Sequence, residues 1–449
     1  MNSSETSDAE GTPSERTPGH RDTTDTRDTT STRGRDATDT TDTPATPAGF
    51  GSAQLALGGD PTGPLAGVTV VDLSTVVMAP FATQVLGDLG ADVIRIEPPF
   101  DTARFSPANV GRHPGMGPLY LQVNRNKRSV ALNLKKEDDL AHLMDLLESA
   151  DVFVTNMRGR ALTRLGIGYE QIKDRFPGLV YAHGQGFNQR SASANRPAYD
   201  EVIQAETGDV DLQRRSVGSL TYMPTFIADK TSSLWLALGV VSALYERRAT
   251  GLGQHVEIPM ADVMIHMNSV EHLSGQVFSP AQDTEIGNPL SLNRIHSALE
   301  TADGEAVAAV PYTYADIKLL LTATGDELAD DPCWDGDRID SAAFTRGMDR
   351  ILATSTRLTL DEWETYLQDN DFPYAVVRDL DGLPDSPYVR EMDLMPEVDH
   401  PTEGRMRTVA NPIGMSRTPV NIRRLPEPAG ASTDEVLAAL AAVAASGGA

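Results

Sequence analysis

From Leu65 onward the sequence alternates between short apolar runs and amphipathic segments, and that alternation leaves few folds open. "GVTVVDL" reads as a buried strand, "APFATQVLGDLG" as a helix with a glycine stop, and "ADVIRIEP" as the next strand. "SVALNLK", "DVFVTN" and "LVYAHGQGF" read as further strands, and "KEDDLAHLMDLLESA" as an amphipathic helix with acids in its first turn. Strands that alternate with helices require a parallel sheet covered on both faces. The expected class is α/β, with a large Rossmann-like domain. Ligands of such sheets bind beyond the carboxyl ends of the strands. The first strand-to-helix turn, "STVVMAP", contains no glycine. A backbone that must approach a pyrophosphate needs glycine there, so no NAD or FAD site is expected.

Four parts are expected. Residues 1–60 precede the alternation and hold "RDTTDTRDTTSTRGRDATDTTDTPATPAG", with no Leu, Ile or Val before Leu55. Such a segment cannot bury enough apolar surface to offset its ordering entropy, so a disordered tail is expected. Residues 61–280 form the large domain. A long helix starts near "IADKTSS" and runs to about Arg248, followed by a turn, a short strand and a helix around Met264–His272. Residues 281–395 mix short strands ("EAVAAV", "PYAVVRD") with helices ("YADIKLLLTATG", "TLDEWETYLQ"), as in a smaller α+β domain. Residues 396–449 end in the helix "DEVLAALAAVAAS" and return to the large domain.

Composition removes several functions. Asp and Glu number 64 against 38 Lys and Arg, for a net charge of −26. A nucleic-acid binder needs a basic stripe, and an anionic membrane surface needs the same, so neither is an expected partner. Cys333 is the only cysteine, which excludes an internal disulfide and a cysteine-based metal site. No apolar leader and no run of about 18 apolar residues stands out, so a cytoplasmic location and no membrane span are expected. Zinc patterns, a P-loop and a nucleophile elbow are all missing, and no metal site is expected.

What remains is a set of carboxylates near glycine-rich turns. Asp229 stands just before the apolar run "SSLWLALGVV", where a helix begins. From the local residues it is either a plain N-cap or a reactive carboxylate. Asp200, in "AYDEVIQ", also stands near a helix start, with Glu201 beside it.

Six blocks, in order from Leu65 to the C-terminus, carry a resemblance: "LAGVTVVDLSTVVMAPFATQVLGDLGADVIRIEPP", "NRNKRSVALNLK", "TNMRGRALTRLGIGYEQI", "AYDEVIQAETG", "IADKTSSLWLALGVVSALYERRATGLGQHVEIPMAD" and "DHPTEGRMRTVANP". Together they resemble the family III CoA-transferases, the CaiB/BaiF family. The resemblance implies transfer of coenzyme A from an acyl-CoA donor to a free carboxylic acid, with CoA as substrate and no tightly bound cofactor. One Asp attacks the thioester to give an acyl anhydride and then an aspartyl-CoA thioester. That Asp falls on Asp229. A helix N-terminus is expected to keep it ionised and to offer N–H donors to an oxyanion. The related acyl-CoA racemases carry a His where this chain has Tyr199, and a phenol with a pKa near 10 is a poor base at neutral pH. Asp200 and Tyr199 are the possible secondary site residues. An acyl-CoA racemase and a non-catalytic acyl-CoA-binding protein are the alternatives.

The resemblance places CoA contacts at Val76, Val77, Met78, Leu132, Asn156, Met157 and Arg164. Arg164 supplies charge for a phosphate, and the apolar loop a slot for adenine. The formyl-CoA type has a Gln at the position of Val77 and a basic residue at Pro197, beside Arg196. Its active-site glycine run has only "IGNP", residues 286–289, as a counterpart here. These departures count against oxalate specificity. The resemblance also implies an interlocked homodimer.

Overall fold

A computed structural model describes residues 54–99, 110–282, 286–288, 291–292, 297–336 and 340–447. The expected tail up to residue 53 and Pro289 of "IGNP" lie outside them. Six strands form one parallel sheet: β1 (Thr69–Leu73), β2 (Asp92–Glu97), β3 (Lys127–Ala131), β4 (Val152–Thr155), β5 (Val180–Gln185) and β6 (His255–Pro259). The order across the sheet is β3-β2-β1-β4-β5-β6, all neighbours parallel. The order reverses between β1 and β4. A crevice therefore opens at their carboxyl ends, where α/β sheets bind ligands. The third strand begins two residues before "SVALNLK" and ends at Ala131, so Leu132 is the first residue beyond it.

Alternation along the strands sends side chains to two cores. Val70, Val93, Val152, Val154, Val180 and Ala182 meet the helices Met78–Asp88, Ile227–Thr250 and Met260–His272. Val71, Leu73, Ile94, Ile96, Phe153 and Tyr181 meet the helix Glu137–Ser149 and its neighbours. Ile227–Thr250, the long helix, is apolar enough over its 24 residues to cross a bilayer by composition. That was not expected from the sequence; here the helix buries Leu236, Ala237, Val240, Ala243 and Leu244 in the core. Its polarity is fixed at both ends. Near its C-terminus, Arg247 pairs with Asp151 just before β4 at 2.6 Å. Near its N-terminus, Ser233 donates to the Met78 carbonyl at 2.5 Å. The N-terminus, with Asp229, therefore faces the crevice.

A third core, with Leu299, Val307, Ile317, Leu320, Trp334, Ile351 and Trp363, belongs to a smaller unit. There Ala306–Ala308 pairs antiparallel with Leu299–Glu300 and Ala375–Val376. The C-terminal segment lies against the large sheet, with Ala410, Val420 and Ile422 in its first core and Val436 in its second. Gln54–Leu55 forms a short parallel ladder with Asn421–Ile422. Asn421 also donates to the Asp60 carbonyl at 3.0 Å. Ordered, paired chain therefore begins inside the stretch that the sequence assigned to the tail, because its partner lies more than 350 residues away.

Candidate active site

The crevice is built by two loops. After β1 the chain turns through Ser74–Val77 into the helix Met78–Asp88; after β4 it passes through Asn156 and Met157 into the helix Gly159–Leu165. Asn156 fastens the loops together. Its Nδ2 donates to the Thr75 carbonyl at 2.8 Å, and its Oδ1 accepts the Thr75 N–H at 3.0 Å. Val76 has φ +67°, a left-handed conformation that strains a β-branched residue. This is where a dinucleotide fold would place glycine. Such strain persists only when surroundings enforce it, and it concentrates at functional sites.

The first turn of the long helix stands beside this loop. Phe226 is the N-cap and makes no side-chain capping bond. Asp229 is the third helical residue, so of the two readings open for it the plain N-cap is not met. The capping carboxylate comes from another helix. Asp200, buried at the start of helix Asp200–Thr207, accepts the Asp229 N–H on Oδ1 at 2.9 Å. Its Oδ2 accepts from Gln204 Nε2 at 2.5 Å. The side chain of Asp229 is thereby left for other work. It is half-buried, and burial pushes its pKa up to about 7, with Asp200 and then Glu201 adding to the rise. Burial and then the two neighbouring acids thus act against the helix start, which the sequence suggested would keep it ionised. Its N–H is not free for an oxyanion, since Asp200 has taken it. Helix Met78–Asp88 also begins without a side-chain cap, and Met78 and Ala79 supply the N–H groups of its first turn, since Pro80 has none.

Below the crevice lies a second polar cluster. Asp72 in β1, fully buried, accepts from Thr83 Oγ1 at 2.6 Å, from Lys127 Nζ at 3.0 Å and from Ser74. Lys127 also donates to the Pro80 carbonyl at 2.7 Å and Asn124 Oδ1 at 3.0 Å. Burial pushes Lys127 down to about 8, against the pull of Asp72. Burial acts to raise the Asp72 carboxyl, but Lys127, Arg95 and the two hydroxyls together hold it below the ordinary value.

The sequence profile of CoA-transferase family III matches residues 65–433. The chain belongs to CoA-transferase family III. It is similar to the succinyl-CoA:mesaconate CoA-transferase of Haloarcula marismortui, at 29% identity over 82% of this chain and 92% of the relative. It is also similar to the formyl-CoA:oxalate CoA-transferase of Streptomyces avermitilis, at 28% identity over 81% and 92%. Among solved structures, Rv3272 of Mycobacterium tuberculosis superposes with a TM-score of 0.70 at 26% identity, covering 84% of this chain and 99% of that one. Coenzyme A is thus a substrate of this CoA-transferase.

Of the residues expected to contact CoA, Val76, Val77, Met78, Leu132, Asn156 and Met157 follow the carboxyl ends of strands, and Arg164 stands in the last turn of the helix after β4. Val76 and Arg164 are exposed, and Asn156 and Met157 half-buried. Val77, Met78 and Leu132 are buried. Met78 fills the space over Gly184, where a Cβ would come within 2.6 Å of its sulfur. These three residues offer a ligand little but backbone. Asn156 spends its amide on Thr75. Tyr199 is the exposed N-cap of helix Asp200–Thr207. Sequence reasoning singled out one arginine of "NMRGRALTR" and passed over two. Arg158 and Arg160 are exposed beside Arg164, and none of the three has an ion-pair partner among the described residues. In a chain of charge −26, three arginines within seven residues were a signal the sequence did offer. Arg160 also lines a cavity of about 370 Å³ with Tyr169, His183, Gln189 and His255.

Proposed function

We propose that this CoA-transferase moves coenzyme A from an acyl-CoA to a free carboxylic acid with Asp229 as the nucleophile. A carboxylate oxygen of Asp229 bonds to the thioester carbonyl carbon, the C–S bond breaks, and CoA leaves as thiolate. The thiolate attacks the aspartyl carbonyl, releasing the donor acid and leaving an aspartyl-CoA thioester. The acceptor carboxylate then attacks that thioester, expelling the thiolate and forming a second aspartyl anhydride, and the thiolate attacks the acceptor's acyl carbon to give the new acyl-CoA and free the Asp229 carboxylate. The observation that carries this reading is the capping of Asp229's turn from outside. A carboxylate at a helix start that does not cap, and has no side-chain partner among the described residues, is available for covalent work. Arg158, Arg160 and Arg164 provide the positive charge that the CoA phosphates require.

A pKa near 7 also suits a general base, which favours abstraction of an acyl α-proton as a second reading. Incubation with an acyl-CoA followed by hydroxylamine separates the two. Transfer gives a hydroxamate on Asp229, whereas proton abstraction gives only deuterium exchange at the α-carbon. The acceptors of the relatives differ among themselves, so a screen of acids against one donor, succinyl-CoA, identifies the acid here.

We also propose a homodimer. On the long helix Leu234, Leu238 and Tyr245 form an outward stripe, with Ile265 and Val270 exposed on the helix packed beside it. A contiguous apolar surface of this kind marks an interaction site, and a second copy is the proposed cover. Light scattering giving the mass of one chain would remove that proposal.

A further inference from the structure

We propose that Asp200 is a positioning residue for the transfer. One of its oxygens holds the backbone of the nucleophile's turn, and its fixed negative charge stands beside a carboxylate that becomes neutral on acylation. The proposal rests on Asp229 being the nucleophile.

The geometry is a closed set of bonds. Asp200 is 2% exposed, with Oδ1 on the Asp229 N–H at 2.9 Å and Oδ2 on Gln204 Nε2 at 2.5 Å. Gln204 is fixed in turn: its Oε1 accepts the Met223 N–H at 2.8 Å, and its Nε2 reaches the Thr225 carbonyl at 3.4 Å. One buried carboxylate therefore ties together helix Asp200–Thr207, the approach to the long helix and its first turn. A structural cap needs only an acceptor, for which an amide or hydroxyl suffices. A buried charge with no cation paired to it among the described residues is a more costly choice.

The charge has a target. Burial raises the pKa of Asp229, and the charges of Asp200 and then Glu201 raise it further. Among the described residues, the charged groups on the other elements packed on this turn are engaged elsewhere. Helix Met78–Asp88 meets it with uncharged residues, and Asp88 is at its far end, bound to Arg125. On β5 and β6, Glu257 receives Gln185 and Gln189, and His183 meets the Met157 carbonyl. On helix Met260–His272, Asp262 receives Asn188, and His266 packs edge-on against Trp235. Lys230, the next residue, donates to Thr225 Oγ1 at 2.5 Å. When Asp229 bonds to the acyl carbon, its negative charge departs with the CoA thiolate. Repulsion from Asp200 and Glu201 is relieved in that step. The same repulsion makes the Asp229 oxygens more basic and hence better nucleophiles.

Two variants test this. Asp200→Asn keeps an oxygen for the Asp229 N–H and removes the charge, but it sets an amide N–H against Gln204. Adding Gln204→Glu restores that bond and moves the charge one turn away. The readout is the pH dependence of single-turnover CoA-adduct formation by intact mass, alongside Tm. The midpoint should fall by about one pH unit in both variants. The plateau rate should fall roughly threefold to tenfold as basicity is lost. The double variant should regain Tm without regaining the midpoint. Glu201→Gln, at an exposed site, should shift the midpoint less. A midpoint unchanged in both Asp200 variants overturns the proposal and leaves the nucleophile assignment standing. An adduct that persists in Asp229→Asn overturns the nucleophile assignment itself.

Discussion

Asp72 and Asp229 are both tied to the first turns of helix Met78–Asp88, yet their surroundings are opposite. Asp72 reaches that helix through Thr83, and its partner Lys127 through the Pro80 carbonyl. The turn of Asp229 reaches it through Ser233 and the Met78 carbonyl. Asp72 is fully buried, but a lysine, an arginine and two hydroxyls hold its carboxyl below the ordinary value against the effect of burial. Asp229 is only half-buried, but its charged neighbours are acids and its pKa rises to about 7. Burial alone therefore does not mark a functional carboxylate. What separates the two is whether the chain supplies a counter-charge: Asp72 has one and is held ionised in the framework, whereas Asp229 has like charge beside it, which fits the reactive role proposed for it.

The strongest way to break this comparison is Lys127→Met. The substitution keeps the volume and leaves Asp72 buried without its cation, which costs about 3–5 kcal/mol. Tm should fall by roughly ten degrees. Adding Asp72→Asn should recover much of the loss, because two neutral groups of similar shape replace a pair. A single variant as stable as wild type would mean that the pair is not what holds Asp72.

Asp229→Asn should behave in the opposite way. Between pH 4 and pH 7 the native chain holds the Asp229 proton more tightly than the unfolded chain, whose Asp has released it. The wild type therefore loses stability as pH rises through that window, and Asn does not. The Tm of Asp229→Asn relative to wild type should climb by a few degrees from pH 4 to pH 8. A relative Tm that falls with pH would show that the helix start favours the charge after all.

Smaller effects sharpen the account around the site. Arg164→Ala should raise KM for the CoA donor about tenfold with kcat nearly unchanged, the pattern of lost uniform binding. Pantetheine thioesters, which lack the phosphates of the nucleotide, should show no such penalty. Removing residues 1–53, which stop short of the Gln54–Leu55 ladder, should shift Tm by no more than about two degrees. A larger loss would show that the removed segment packs on the body.

The sequence announced the framework well and the electrostatics poorly. Thr69–Leu73 and Val180–Gln185 were legible because a doubly covered strand is a continuous apolar run. Lys127 was not: charge at a strand start reads as a loop, and its partner Asp72 lies 55 residues earlier. Val76 gave no warning of its left-handed backbone, since turn reading depends on glycine and there is none. Asp229 was found through its block of neighbours. Its role as third residue of the helix rather than cap was hidden, because the acceptor of its N–H comes from 29 residues away. Local pattern fixes periodicity, whereas capping and charge pairing depend on tertiary neighbours.

The most direct test is intact mass after incubation with an acyl-CoA, with wild type, Asp229→Asn and Asp200→Asn measured side by side. Wild type should gain the mass of coenzyme A less one water, mapped to Asp229 by peptide analysis. Asp229→Asn should stay folded, gain nothing and lose transfer by several orders of magnitude, while Asp200→Asn should still carry the adduct. An adduct on Asp229→Asn, or one mapped to any other side chain, would contradict the assignment of Asp229 as nucleophile.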